Sequence, residues 1–304
     1  MRCSVIEIGS NTVKCTVYDI TGEKGAKKYE AVLSQSYTVG LINYIHDGVL
    51  SNTGKRRLAD TVSGLVRLSK NVYSKKVVLI ATAGLRMIKN CNDAVITIKK
   101  ATGYKVSVIS GREEALLGFT GLKASFDGKL NDGISIDLGG GSTEIVKIEN
   151  GEAVLFESIN VGALKLFSDC VGEIIPKPGE IKRMADIIDE KLKSLKWLSG
   201  VGDTAYIVGG SGRALSAVCA DISGYAIVRN GFTMSIDQVN EIVRMYSDPT
   251  PEDVRRIIRI MPDRIHMTIP GIIAYSRIFK AAGTKNAISS FAKLRDGYVI
   301  KKFL

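Results

Sequence analysis

The chain has 304 residues, 45% of them hydrophobic, which is enough for a real core and, by length, for two domains. Its 42 lysines and arginines outnumber 31 acids, and the net charge of +11 attracts polyanions without choosing among nucleotides, polyphosphate and nucleic acid. Composition counts against a membrane span, a secretory leader, a disulfide framework and a His-built metal site: no apolar run reaches ~18 residues, Met1-Arg2-Cys3-Ser4-Val5 enters a strand directly, the five cysteines form no C-x-x-C pair, and His46 and His266 are the only histidines.

Taken in order, the elements alternate between strands and helices. Val5-Ile6-Glu7-Ile8-Gly9-Ser10-Asn11-Thr12-Val13 reads as a strand, a tight small-residue turn and a second strand, which runs on to a turn at Thr21-Gly22. Residues 55–73 carry Leu58, Val62, Leu65, Val66 and Val72 on one helical stripe. Residues 77–82 and 104–109 read as strands, 110–125 as a helix, and the polar, Gly-containing stretch 127–133 as a linker. Then the first pattern returns as Ile134-Ser135-Ile136-Asp137-Leu138-Gly139-Gly140-Gly141-Ser142-Thr143-Glu144-Ile145-Val146, with a hairpin signal at Asn150-Gly151. The same strand–turn–strand unit used twice is a domain-scale repeat.

Further on, Ile181, Met184, Ile188, Leu192 and Leu195 mark an amphipathic helix. Tyr206-Ile207-Val208-Gly209-Gly210-Ser211-Gly212-Arg213 is a third strand with a Gly turn. Ser235 with Gln238, and Thr250 with Asp253, read as helix starts, and Pro270-Gly271 as the opening of a helix that ends near Gly283.

Three strand-anchored glycine turns suit phosphate. The ligand needs several backbone N–H groups aimed at it, and glycine lets the backbone come close. Gly9, Ser10, Asn11 and Thr12, then Gly139, Gly140, Gly141, Ser142 and Thr143, then Gly209, Gly210 and Ser211 are the candidate phosphate-binding residues. Neither a Walker P-loop nor G-x-G-x-x-G occurs. Carboxylates beside such turns suit Mg²⁺, which prefers oxygen ligands and keeps several waters. Asp137 is the favoured ligand; for Glu7 the metal and turn-capping readings stand level. Ser110 and Glu113 form an S-x-x-E capping box that occupies Glu113 and leaves Glu114 as the better general base. Arg86, Arg213, Arg264 and Arg295 stand in places from which a guanidinium could reach phosphate.

Together these motifs resemble the exopolyphosphatase / guanosine pentaphosphate phosphatase (Ppx/GppA) family over nearly the whole chain. The stretches that carry the resemblance are Glu7-Ile-Gly-Ser-Asn-Thr12, Ala81-Thr-Ala-Gly-Leu-Arg86, Ser110-Gly-Arg-Glu-Glu-Ala115, Asp137-Leu-Gly-Gly-Gly-Ser-Thr-Glu144, Gly209-Gly-Ser211 with Arg213, and Leu294-Arg-Asp-Gly297. The resemblance implies an α/β fold of two ribonuclease-H-like domains of the actin, sugar-kinase and heat-shock-ATPase superfamily, with the substrate in a central cleft. The domains would be 1–125 and 126–304, the last ~15 residues packing back on the first. It implies Mg²⁺ (or Mn²⁺), Glu114 and Glu144 as catalytic residues, and Arg86 among the substrate-binding residues. The expected activity is release of terminal phosphate from polyphosphate or a phosphorylated guanosine nucleotide, in the cytoplasm, with no membrane partner; nucleic acid is the less expected partner, and a homodimer is left open.

The chain departs from the family pattern at Glu7, where Asp is usual, at Arg264-Ile265-His266, where R-A-D is frequent, and at Ser211, where Thr is usual; the expectation is of a short form, without the extra C-terminal domains of the long bacterial enzymes. A second reading is a nucleotide- or alarmone-binding regulator with weak or lost catalysis, and a third an actin-like small-molecule kinase. Phosphate release to water, or transfer to an acceptor, separates the three.

Overall fold

The structure is a computed structural model and describes residues 1–23 and 25–304. The chain divides into two compact units, Met1–Gly121 with Leu294–Leu304, and Leu122–Lys293.

The first unit opens with β1 (Arg2–Ile8), β2 (Thr12–Thr21) and β3 (Lys28–Thr38), an antiparallel meander. Gly22 takes φ 88° at the expected turn after Thr21; Lys24, in the same connection, lies outside the described residues. A two-residue ladder, β4 (Ile45–His46) and β5 (Val49–Leu50), leads into α1 (Asn52–Asn71). This helix starts three residues before the apolar stripe predicts. The Ser51 hydroxyl accepts from Gly54 N at 3.1 Å, and Gly54 is the residue that fits there, because a Cβ would stand 2.6 Å from Tyr44 Cβ. Next come β6 (Lys76–Ala81), the single turn α2 (Ala83–Arg86), α3 (Cys91–Thr102), β7 (Val106–Val108) and α4 (Gly111–Ser125). Strands β1, β6 and β7 are parallel, giving the sheet order β3-β2-β1-β6-β7.

β1 is apolar on both faces because both are covered. Ile6 and Ile8 pack with Leu58, Val62 and Leu65 of α1 and Ile98 of α3, while Cys3 and Val5 face Leu117 of α4.

In the second unit, 127–133 forms a turn with Asp127 at φ 52° and Gly128 at φ 79° before β8 (Gly133–Leu138), β9 (Thr143–Glu149) and β10 (Glu152–Ile159). Asn150 and Gly151, at φ 53° and 71°, make the two-residue hairpin turn that their sequence predicts. Then follow α5 (Ala163–Cys170), α6 (Pro178–Leu192), β11 (Thr204–Val208), α7 (Gly209–Ile222), β12 (Thr233–Ser235), α8 (Ile236–Ser247), α9 (Pro251–Ile260), α10 (Ile265–Ala282) and β13 (Asn286–Ser289). The sheet order is β10-β9-β8-β11-β13-β12. An antiparallel meander followed by two parallel strands therefore occurs in both units, and each is a ribonuclease-H-like sheet; β12 is an added edge strand of the second.

Two helix expectations are corrected. Leu195 lies outside α6, in a turn where its N–H reaches Leu192 O at 2.9 Å. Pro270 does not open a helix: α10 begins at Ile265 and carries the proline inside. An internal proline costs ~3 kcal/mol. Burial of Met267, Ile269, Ile272, Ile273 and Tyr275, at ~1.5–3 kcal/mol each, outweighs that cost.

The last element, α11 (Leu294–Phe303), belongs to the first unit, where Leu294 and Val299 complete the core that Cys3 and Val5 face.

Candidate functional site

In the first unit the candidate residues stand where the parallel strands end. Gly9-Ser10-Asn11 joins β1 to β2, closed by Gly9 N on Thr12 O at 3.0 Å. Segment 82–86 follows β6 and lies directly on this turn: a Cβ at Gly84 would stand 2.7 Å from Ser10 N. Segment 110–114 follows β7. There Ser110 N donates to Glu113 Oε2 at 2.9 Å and Glu113 N donates to Ser110 Oγ at 3.1 Å, closing the capping box. The Ser110 N–H, and then the Ser110 hydroxyl, which also donates to Oε2 at 3.0 Å, hold the Glu113 carboxyl below the usual glutamate range. Glu114 takes a different partner: Arg86 Nη1 donates to its Oε2 at 2.8 Å and to Ile109 O at 3.0 Å. Arg86 and Glu114, read from sequence as a phosphate ligand and a base, are thus direct partners, and the arginine fixes how the carboxylate points.

Glu7 lies one residue before the end of β1 and is largely buried. One of its oxygens accepts from Arg295 Nη1 and the other lies 3.8 Å from Lys14 Nζ. Arg295, itself buried, also donates from Nε to Thr16 Oγ1 at 2.8 Å, and the neighbouring Asp296 accepts from Tyr18 OH at 2.6 Å.

In the second unit the same turn recurs. Gly139 N bonds Ser142 O at 2.9 Å, and a Cβ at Gly139 would stand 3.2 Å from Ser142 O, as one at Gly9 would from Thr12 O. Glu144 is buried, and its Oε1 accepts from Ser142 Oγ at 2.9 Å and Ser158 Oγ at 2.7 Å. Thr143 Oγ1 donates to Val161 O at 2.6 Å. Both hydroxyls of this motif therefore point inward, and what the turn offers a ligand is its backbone. Asp137 lies opposite Val208 in the ladder, and its Oδ1 fills the place a Cβ would need at Gly209, which has φ 82°. Gly209 and Gly210 begin α7, so Asp137 sits at a helix start that favours anions. Arg264 lies over Gly210, where a Cβ would be 2.9 Å from its guanidinium carbon. Burial, then nearby Arg213, lowers the Arg264 pKa, partly offset by Asp263. A guanidinium over a glycine turn, with a second nearby, is of the chemistry that pairs with phosphate oxygens. Burial and Arg264 also push His266 below its ordinary value.

Among the described residues no group of three or more His, Cys, Asp or Glu forms a metal cage. Mg²⁺ does not require one, since one or two carboxylates plus substrate phosphates suffice. Asp137 fits that requirement. Glu7 does not: both its oxygens already face cations.

Two supports of the turns escaped the sequence reading. Gly40 N and Leu41 N donate to Asn11 O and Ser10 O at 2.9 and 3.1 Å; Ala163 N and Lys165 N donate to Gly139 O and Gly140 O at 3.0 and 2.9 Å. A Cβ at Gly162 would collide with the Gly140 backbone. The signal was present as Val39-Gly40-Leu41 and Val161-Gly162-Ala163-Leu164, a second duplicated pair behind each hairpin.

With known proteins the likeness is broad. The sequence model of the Ppx/GppA phosphatase family matches residues 17–304. Exopolyphosphatase 1 of Mycobacterium leprae is 21% identical over an alignment of 306 residues, 99% of this chain and 89% of that protein. A guanosine-5'-triphosphate,3'-diphosphate pyrophosphatase of Pseudoalteromonas translucida is 29% identical over 171 residues, 53% of this chain and 34% of that protein. The crystal structure of an exopolyphosphatase from Cytophaga hutchinsonii shares the fold with a TM-score of 0.85 at 20% identity, covering 99% of this chain and 97% of that one.

Proposed function

The chain belongs to the Ppx/GppA phosphatase family, and from that membership we propose that it hydrolyses the terminal phosphoanhydride of inorganic polyphosphate, of guanosine pentaphosphate, or of both. The observation that carries the reading is the convergence at Asp137: the Gly139–Gly141 turn, the Gly209-Gly210 start of α7 and the Arg264 guanidinium all meet there.

In this reading the turn backbones and Arg264 bind the phosphates. Asp137 holds Mg²⁺ (or Mn²⁺), which supplies positive charge to the phosphoryl oxygens. Glu114, oriented by Arg86, positions the attacking water and accepts its proton. Glu144, held by Ser142 and Ser158, keeps the second turn in shape and is the second glutamate near the water. Phosphoryl transfer asks little covalent chemistry of a protein, so positioning and charge carry most of the rate.

The test is phosphate release, with Mg²⁺ and with Mn²⁺, from long-chain polyphosphate, guanosine pentaphosphate and ATP. Release from either of the first two is expected. Binding without release from any of them would sink the reading in favour of a regulator, and ATP turnover only with an added acceptor would favour a kinase.

A further inference from the structure

The net charge of +11 is not shared between the units. Met1–Gly121 with Leu294–Leu304 holds 21 lysines and arginines against 10 acids, whereas Leu122–Lys293 holds 21 against 21. Within the first unit, residues 61–112 hold ten cations and one carboxylate, Asp93.

Many of these cations gather where the parallel strands begin. Lys76 opens β6, and Lys75 N donates to Arg2 O at the start of β1, 3.0 Å away. Lys105 stands just before β7. Lys70, in the last turn of α1, lies over the Tyr104 ring at 5.6 Å. Ser63 of α1 donates to Ala101 O near the end of α3 at 3.5 Å, which draws Lys100 to the same edge. All five lysines are exposed. The glycine turns and Glu114 stand at the other ends of these strands, because Gly9 follows β1, Thr82 follows β6 and Ser110 lies just past β7. The seven residues of β1 set the two ends ~20 Å apart.

Like charges held on one exposed face repel one another, and a linear polyanion relieves that repulsion along its length. We propose that this lysine face docks the distal stretch of a long inorganic polyphosphate chain, a docking surface separate from the site of hydrolysis; the assignment rests on the polyphosphate reading above. Single-stranded nucleic acid is less well matched. Tyr73 is 84% exposed, but Tyr104 is half-buried beneath Lys70 and Phe303 half-buried beneath Lys76, so among these rings one is bared and successive bases have no run on which to stack.

The test is the full chain carrying Lys75→Glu, Lys100→Glu and Lys105→Glu, none of which touches the turns. The KM for long-chain polyphosphate should rise by ~10-fold or more, and its dependence on log salt should flatten by ~2, three phosphate contacts at ~0.7 each. On tripolyphosphate, too short to reach, kcat/KM should be unchanged. The Lys→Gln triple, which keeps the apolar stems, should show the same trend more weakly and guards against misfolding. An unchanged long-chain KM, or equal losses on both substrates, would overturn the docking face. Fluorescence anisotropy of labelled long-chain polyphosphate on Glu114→Gln protein, with and without the three substitutions, reads docking without turnover. An inactive wild-type protein that still binds the chain through these lysines would therefore refute hydrolysis and not docking. Tighter binding of a single-stranded oligonucleotide of equal charge would assign the face to nucleic acid and overturn the proposal.

Discussion

Glu113 and Glu114 are neighbours in sequence and are held differently: the first closes a cap on Ser110, the second pairs with Arg86. That difference was legible from S-x-x-E spacing for Glu113, but the Arg86 contact spans 28 residues and was not. Glu114→Gln should lower kcat by ~10²–10⁴, the usual loss when a general base is removed. Its stability should change by ~1 kcal/mol or less, since Arg86 keeps the Ile109 carbonyl. Glu113→Gln can still close the box and should keep nearly full rate. Equal rate losses in the two variants would remove the distinction between them. Glu113 also carries a pH signature. Its carboxyl is depressed below the ordinary 4.5, so its stabilisation is complete above that value and is lost as pH falls through the folded pKa. The stability difference between wild type and Glu113→Gln, followed by urea unfolding, should shrink below about pH 4.5.

The recurring element is a strand, a glycine turn and a strand, backed by a second glycine segment. Its glycines are not equivalent. Gly209 combines φ 82° with a Cβ position already filled by Asp137 Oδ1, whereas Gly179, early in α6, has nothing within 4 Å of its Cβ position. Gly209→Ala should therefore push Asp137 aside and strain the backbone, destabilising by ~1–3 kcal/mol and abolishing most phosphate release. Gly179→Ala should be neutral or stabilise by up to ~1 kcal/mol. Thermal melts and initial rates on both variants check this. A normal rate for Gly209→Ala would show that the position of Asp137 does not matter.

For the whole molecule, the C-terminal helix decides the integrity of the first unit. Leu294 and Val299 cover Cys3, Val5 and Ile80, Gly297 lets α11 close on the backbone of α4 at Leu117, and Arg295 neutralises the largely buried Glu7. Ending the chain after Lys293 would remove two core residues, Leu294 and Val299, whose burial is worth ~1.5–3 kcal/mol each, and would take the Arg295 guanidinium from Glu7. Breaking a buried pair costs ~3–5 kcal/mol. The sum reaches the whole stability of an ordinary domain, ~5–15 kcal/mol. The truncated chain should lose the cooperative unfolding of the first unit in calorimetry, and Arg295→Met alone should lower its midpoint. A truncation that melts like the full chain would refute this role.

The glycine turns, the repeat that duplicates them, the capping box at Ser110 and the family itself were determined by sequence alone, because each depends on residues within a few positions of one another. A Gly-Gly-Gly turn after an apolar strand, or a serine three residues before a glutamate, specifies its own geometry. The tertiary structure decided everything that turns on distant packing. Arg295 reaches Glu7 across 288 positions and turns a candidate metal ligand into half of an ion pair. Arg264 settles over Gly210, Pro270 is carried inside α10 by the burial around it, and the lysines of α1, α3 and two strand starts come to one edge. The physical reason is range. Backbone sterics and periodicity act over one or two turns of chain, whereas charge pairing and core burial are settled by whichever segments the two sheets bring together.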